Sequence, residues 1–282
     1  MASTETFTIG GDMTVQRMGF GAMRITGSGV WGWPNDRAKA RALLHRVVEL
    51  GIDFIDTADA YGPETSEYLL AEALHPYDGV VIATKGGLVR GGPGVWERDG
   101  RPAHLRRALE NSLRRLQVER IDLYQYHAVD PAVPLEDSVG ELARLKEEGK
   151  IRHIGLSNVS VAQIETTQAI TPVATVQNRF NLINRTDQPV VDYCTEHGIG
   201  YIPWFPLATG NLTQRDGGVI DRIARAHEAS HGQIALAWLL HLSPVMLPIP
   251  GTSSIAHLEE NTAARTIALS AEEIAELSAL AS

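Results

Sequence analysis

DFIDTADAYG at 53–62, VVIATKGG at 80–87 and LYQYHAVD at 123–130 are short apolar runs that stop at residues able to move protons. Runs this short, bounded by polar residues and glycine, read as buried strands. Others of the kind fall at 15–19, 152–155, 174–177, 200–204 and 245–249, which with 53–56, 80–85 and 121–126 makes eight. Helical periods lie between them. Leu43, Val47 and Leu50 share one face before Gly51, and Leu135, Val139, Leu142 and Leu145 repeat the pattern before Gly149. Ser160 with Gln163 and Ser270 with Glu273 have capping-box spacing. Strict strand-then-helix alternation implies parallel strands joined by right-handed crossovers, and eight such units close on themselves. The expected fold is α/β, a (β/α)8 barrel. TFTIGGDMTVQ at 6–16, with Gly10 and Gly11 between alternating residues, predicts an N-terminal β-hairpin closing the floor, and helical patterning after 249 predicts extra C-terminal helices.

No composition shift divides the 282 residues, and such a barrel needs roughly 250, so one domain spanning 1–282 is expected. With 34 acidic and 25 basic side chains the formal charge is -9, which repels phosphate backbones and anionic lipid. Nucleic acid and membrane partners are not expected. The longest strongly apolar stretch, 234–240, is far short of the ~20 residues that cross a bilayer. MASTETFTIGG lacks the basic, apolar, small-residue order of a secretory signal, and Cys194, the single cysteine, has no internal partner. In VVDYC at 190–194 it reads as packing. A reducing, cytoplasmic setting is expected. The oligomeric state stays open, with a monomer favoured.

In a barrel of this kind the active site lies at the C-terminal ends of the strands. Three such ends deliver Asp56, Tyr61, Lys85 and His127 to one rim. A lysine ending an apolar strand is expensive to bury without a carboxylate, and Asp56 on the neighbouring strand can supply one. The ammonium is expected to draw the Tyr61 phenol down from its ordinary pKa near ~10, so that Tyr61 can give or take a proton. A neutral imidazole at His127 could then orient a carbonyl oxygen. Singly, each has an ordinary reading as cap, rim aromatic, solvated strand end or satisfied polar side chain. As a set on adjacent strands they point to catalysis.

Gly251, Thr252, Ser253 and Ser254, after the last strand and before a helix start, suit a phosphate group, since the loops after the seventh and eighth strands of these barrels commonly bind one. DTADAYG, the Lys85 strand, YQYH, HIGLSN at 153–158 and LPIPGTSS with HLEEN at 247–261 together resemble the motifs of the aldo-keto reductase family, in its order, from about Arg17 to the C-terminal helix. The resemblance implies an enzyme that reduces a small-molecule aldehyde or ketone with NADPH. It implies Tyr61 as proton donor, tuned by Lys85, which Asp56 holds, with His127 positioning substrate. It further implies cofactor contacts from Gly21, Ala22 and Met23, from Ser157, Asn158 and Gln177 to the nicotinamide, and from Trp204 stacked on its ring. Leu207, Gly210 and Asn211 would cover the pyrophosphate, and Gly251, Thr252, Ser253, His257, Glu260 and Asn261 would hold the adenosine end. His257 stands where many NADP-using members carry arginine, and Gly251 where others carry lysine. No metal is implied.

Within the family, GSGVWGWPNDR at 27–37, FPL at 205–207 and IPGTSSIAHLEEN at 249–261 look most similar to bacterial pyridoxal reductases, which implies pyridoxal as substrate. Trp31, Trp33 and Trp96 are then expected to sandwich a flat ring. The alternatives are a general aldehyde or sugar reductase, a cofactor-binding regulatory subunit resembling ion-channel accessory proteins, and a barrel using Lys85 as a Schiff base. Gly27, Gly29 and Gly32 match a dinucleotide fingerprint with Asp53 downstream. There, however, the glycines open a helix, whereas here Trp33, Pro34 and Asn35 intervene, so 27–33 reads as a rim loop.

Overall fold

The computed structural model describes residues 5–207 and 218–280. β1 (Thr6–Ile9) and β2 (Met13–Gln16) form the hairpin, with Ile9 paired to Met13 across Gly10 and Gly11, both at positive φ. Ile9, Met13 and Val15 pack under the barrel against Phe54, Leu123, Ile202 and Leu247. At its tip Asp12 meets His153 at 2.6 Å.

The barrel strands are β3 (Phe20–Gly21), β4 (Phe54–Asp56) and β5 (Val81–Gly86). A second hairpin follows, β6 (Leu88–Gly92) and β7 (Val95–Arg98). The barrel resumes with β8 (Ile121–Tyr126), β9 (Ile151–Ser157), β10 (Thr175–Gln177) and β11 (Gly200–Tyr201). The seven barrel strands are parallel, in the order β11-β10-β9-β8-β5-β4-β3. Around them run α1 (Arg37–Glu49), α2 (Thr65–Leu74), α3 (Pro102–Leu116), α4 (Leu135–Glu147), α5 (Val161–Gln168), α6 (Gln188–His197), α7 (Val219–Ala226) and α8 (His231–Leu242). α9 (Ile255–Ala263) and α10 (Ala271–Ser278) complete the described chain. Capping boxes start α5 at Ser160 and α10 at Ser270, and a third at Ser230 starts α8. Among the described residues no helix is long and apolar enough to cross a membrane.

Two strand expectations are corrected. The sequence places the first strand at 15–19, but Val15 belongs to the hairpin and the barrel strand begins at Phe20. Between them Arg17 is buried, its guanidinium donating to the carbonyls of Leu240 and Met246 at 2.7 and 3.2 Å. The eighth run, 245–249, closes the barrel without becoming a regular strand. Tyr201 N donates to Val245 O and Leu247 N to Tyr201 O, both at 2.8 Å, while Gly19 N donates to Pro248 O at 3.0 Å. Pro248 and Pro250, at alternate positions, carry no N–H for the β3 side, so that ladder is incomplete.

Candidate active site

Alternation along the strands builds the site. Phe54, Ala83 and Leu123 belong to the apolar cluster inside the barrel, and the residue two places on in each strand faces the same interior one layer higher. That layer holds Asp56, Lys85 and Gln125, with Gln177 from β10. Lys85 is fully buried and Asp56 1% exposed, so neither charge is paid for by water. Lys85 Nζ donates to Asp56 Oδ2 at 2.6 Å, to Thr57 O at 2.8 Å and to Tyr61 Oη at 3.3 Å. Gln125 Nε2 and Gln177 Nε2 each donate to Asp56 Oδ1 at 2.9 Å. Every hydrogen of the ammonium and both carboxylate oxygens are thus used. From behind, Thr84 donates to Glu67 Oε1 and Arg115 to Glu67 Oε2, both at 2.6 Å, tying β5 to α2 and α3.

Tyr61 and His127 lie on the cavity side of this layer, ring centroids 5.9 Å apart and nearly perpendicular. Burial lowers the Lys85 pKa, but attraction to Asp56 and Tyr61 and their hydrogen bonds outweigh it, so the net shift is upward and Lys85 stays an ammonium. A Schiff-base role needs the free amine, which this environment disfavours. The expectation for Tyr61 is reversed: burial raises its pKa by more than Lys85 lowers it, and Asp56 adds to the rise. The phenol is held as an acid. His127 is pushed well below the ordinary imidazole range by burial and then by Lys85, so the ring is neutral, with Nδ1 unpartnered among the described residues.

Above this group opens a cavity of about 480 Å³ with largely apolar walls that include Met23, Leu88, Trp96, Trp204 and Leu207. Gly21, Ser157, Asn158, Gln177 and Gly251 also line it. Asn158, at positive φ, donates to His127 O at 3.0 Å and accepts from Trp204 Nε1 at 3.1 Å, which fixes the indole at the wall. The remaining residues singled out in the sequence are more scattered. Ala22 is buried in a short 3-10 turn without lining the cavity, and Thr252 is buried, accepting from Ser254 N. Ser253 borders a neighbouring groove beside Arg24 and Lys39. His257 sits exposed in the first turn of α9, Glu260 O accepts from Gln233, and Asn261 is buried. Gly210 and Asn211 lie outside the described residues. A Cβ on Gly251 would stand 2.6 Å from Gly21 O, so its glycine is accounted for by two backbones meeting where the barrel closes.

The tryptophans divide. Trp96 lines the cavity, but Trp31 and Trp33 do not. Trp33 is 42% exposed and packs with Arg37 and Tyr68 on the outer side, so the expected sandwich has at most one of its three indoles. Sequence reasoning missed Gln125, Arg24 and Phe205. Gln125 had a signal, a polar residue two before His127 on the same strand face. Gly155 had one too: a Cβ there would come within 2.8 Å of Gln125 Cγ.

The fold and its buried polar layer define a parallel-barrel oxidoreductase. The model of the aldo/keto reductase family matches residues 17–282, and the chain belongs to that family. An uncharacterized oxidoreductase of Schizosaccharomyces pombe is 54% identical over 267 residues, covering 95% of this chain and 87% of that protein. Pyridoxine 4-dehydrogenase of Escherichia coli is 39% identical over 282 residues, 98% of each chain. The structure of an aldo/keto reductase from Klebsiella pneumoniae in complex with NADP and acetate matches with a TM-score of 0.83 at 29% identity, covering 98% of this chain and 95% of that one.

Proposed function

We propose that this protein reduces aldehydes to alcohols with NADPH, with pyridoxal, giving pyridoxine, as the leading substrate. One observation carries the reaction class: a phenol kept protonated by burial, 3.3 Å from an ammonium that can receive its charge, on the wall of an apolar cavity. The Klebsiella pneumoniae relative with bound NADP supports the cofactor, and the Escherichia coli relative supports the substrate. The residues fit a nicotinamide. Gln177 Nε2 is committed to Asp56, which leaves its Oε1 for a carboxamide, and Ser157, Asn158 and the Trp204 indole border the same space. Arg24, shared by the cavity and the groove at Ser253, suits a phosphate further along.

When bound, the reduced nicotinamide supplies the hydride that adds to the carbonyl carbon. Tyr61 gives its proton to the carbonyl oxygen as the C=O π bond breaks, and the phenolate left behind is stabilised by Lys85. Asp56 keeps Lys85 aimed, and His127, neutral, can donate one N–H to the same oxygen without repelling Lys85. The apolar walls exclude water. The regulatory-subunit reading gains no specific observation.

The substrate assignment is tested by comparing kcat/KM for pyridoxal, 4-nitrobenzaldehyde and butanal, each with NADPH and with NADH. One aromatic pair contributes ~0.5 to 1.5 kcal/mol, so Trp96, with Trp204 given to the nicotinamide, predicts pyridoxal ahead of butanal by about two- to twelvefold. NADPH should lead NADH modestly, because a histidine at 257 is a weaker phosphate anchor than arginine. Pyridoxal turned over no better than butanal removes the specific substrate. A preference for NADH removes the phosphate assignment.

A further inference from the structure

Arg90, on β6, joins three segments that the barrel itself does not connect. Its Nε donates to Val95 O at 2.9 Å, across its own hairpin. One Nη1 donates to both Val30 O and Ala60 O at 3.0 Å, and Nη2 reaches Gly29 O at 3.4 Å. Its Cζ lies 3.7 Å from the ring centroid of Trp96 and 5.5 Å from that of Trp31. Val30 has φ 57, a region that a β-branched residue enters only when its surroundings hold it there. The rim loop is also tied by Gly32 N donating to Gly62 O, next to Tyr61. Trp96 itself is 39% exposed and belongs to a short two-stranded ribbon, which is marginal in isolation. Its place at the cavity wall therefore needs an external tether.

We propose that Arg90 is a positioning residue that locks the 88–98 hairpin onto the 27–33 loop, holds Trp96 as a wall of the substrate cavity, and thereby sets the preference for ring-bearing aldehydes. This rests on the reading of the cavity as an aldehyde site. Four of the five N–H donors of Arg90 go to backbone carbonyls and its side chain is not among those lining the cavity, so it acts through Trp96. Tyr61 has its own backbone ties, donating to Ala58 O and accepting from Ser66 N, and keeps its place without the clamp. A lysine cannot replace the clamp, because an ammonium has neither the planar face for the indole nor the spread of the fork.

The test uses the full-length wild type, Arg90→Ala, Arg90→Lys, Trp96→Ala and the Arg90→Ala/Trp96→Ala pair, all with NADPH. Arg90→Ala should raise KM for 4-nitrobenzaldehyde about fivefold more than it raises KM for butanal, with the ratio of the two kcat values kept. Arg90→Lys should recover little of this. The double variant should discriminate no worse than Trp96→Ala, as expected if one residue acts through the other. Amide exchange supplies a readout independent of turnover: 88–98 and 27–33 should exchange faster in Arg90→Ala while 121–126 does not. Equal KM changes for both aldehydes, or losses that multiply in the double variant, overturn the specificity role. Unchanged exchange at 88–98 overturns the clamp. A wild type that reduces neither aldehyde instead overturns the aldehyde reading, and the specificity role falls with it.

Discussion

The layer of Asp56, Lys85 and Gln125 on three neighbouring parallel strands, with Gln177 from β10, is buried, with its charged atoms bonded on every side. The rim above it, 27–33 and 88–98, is a loop and a two-stranded ribbon with Trp33 and Trp96 exposed; Arg90 ties the two together, while Arg98 Nη1 donates to Val129 O at 3.2 Å and Gly32 N to Gly62 O. In the lower region geometry follows from strand register, so a one-residue change of side chain alters chemistry. In the upper region geometry follows from side-chain ties, and on the proposed reading the same kind of change alters which substrate fits. The proposed roles therefore predict that reaction class and substrate preference are separable by mutation.

The sharpest way to break this division is Lys85→Met. It removes the acceptor of phenolate charge and leaves Asp56 buried with only neutral partners, so kcat should fall by about 100-fold or more and stability by ~3 kcal/mol in urea unfolding. A variant that lost stability but kept turnover would make the pair structural only. Smaller, and specific to the electrostatics, is the pH dependence of reduction. Tyr61 is held above its ordinary value, so the acid form persists through neutrality, and His127 is held neutral, so no imidazole limb appears near 6.5. The kcat/KM profile should be flat between about pH 6 and 8 and decline only on the alkaline side, toward or above the ordinary phenol value of ~10. An alkaline limb near neutrality would restore the expectation that Lys85 pulls the phenol down. The smallest effect belongs to Trp33→Ala. Its indole packs with Arg37 and Tyr68 away from the cavity, so KM for aromatic aldehydes should move less than about twofold, the scale of one weak contact. A larger rise would bring Trp33 back to the substrate.

Legibility in the sequence followed the same division. The period-two pattern in VVIATKGG and LYQYHAVD makes Lys85 and His127 stand out, because a polar group ending a buried run must be answered by a neighbouring strand. The same rule could have found Gln125. Where backbone closure decided the outcome, local pattern misled: Val15 alternates like a barrel strand but serves the floor hairpin, and Pro248 and Pro250 thin the ladder at the seam. The direction of the Tyr61 shift depended on how deeply the phenol is buried, which no spacing encodes. The rim was least legible. GLVRGGPGVWER forms a ribbon tied by Arg90 to Val30 and Ala60 and by Arg98 to Val129, all distant in sequence, and nothing local distinguishes Trp96, at the wall, from Trp33, outside it.

The central claim, that Tyr61 gives the proton, is tested most directly by Tyr61→Phe, with NADPH binding followed by fluorescence quenching beside steady-state reduction of 4-nitrobenzaldehyde. The account predicts a cofactor Kd close to that of the wild type and a kcat lower by about 100-fold to 10,000-fold, the usual contribution of a positioned general acid. A kcat near that of the wild type, with cofactor bound, would contradict it.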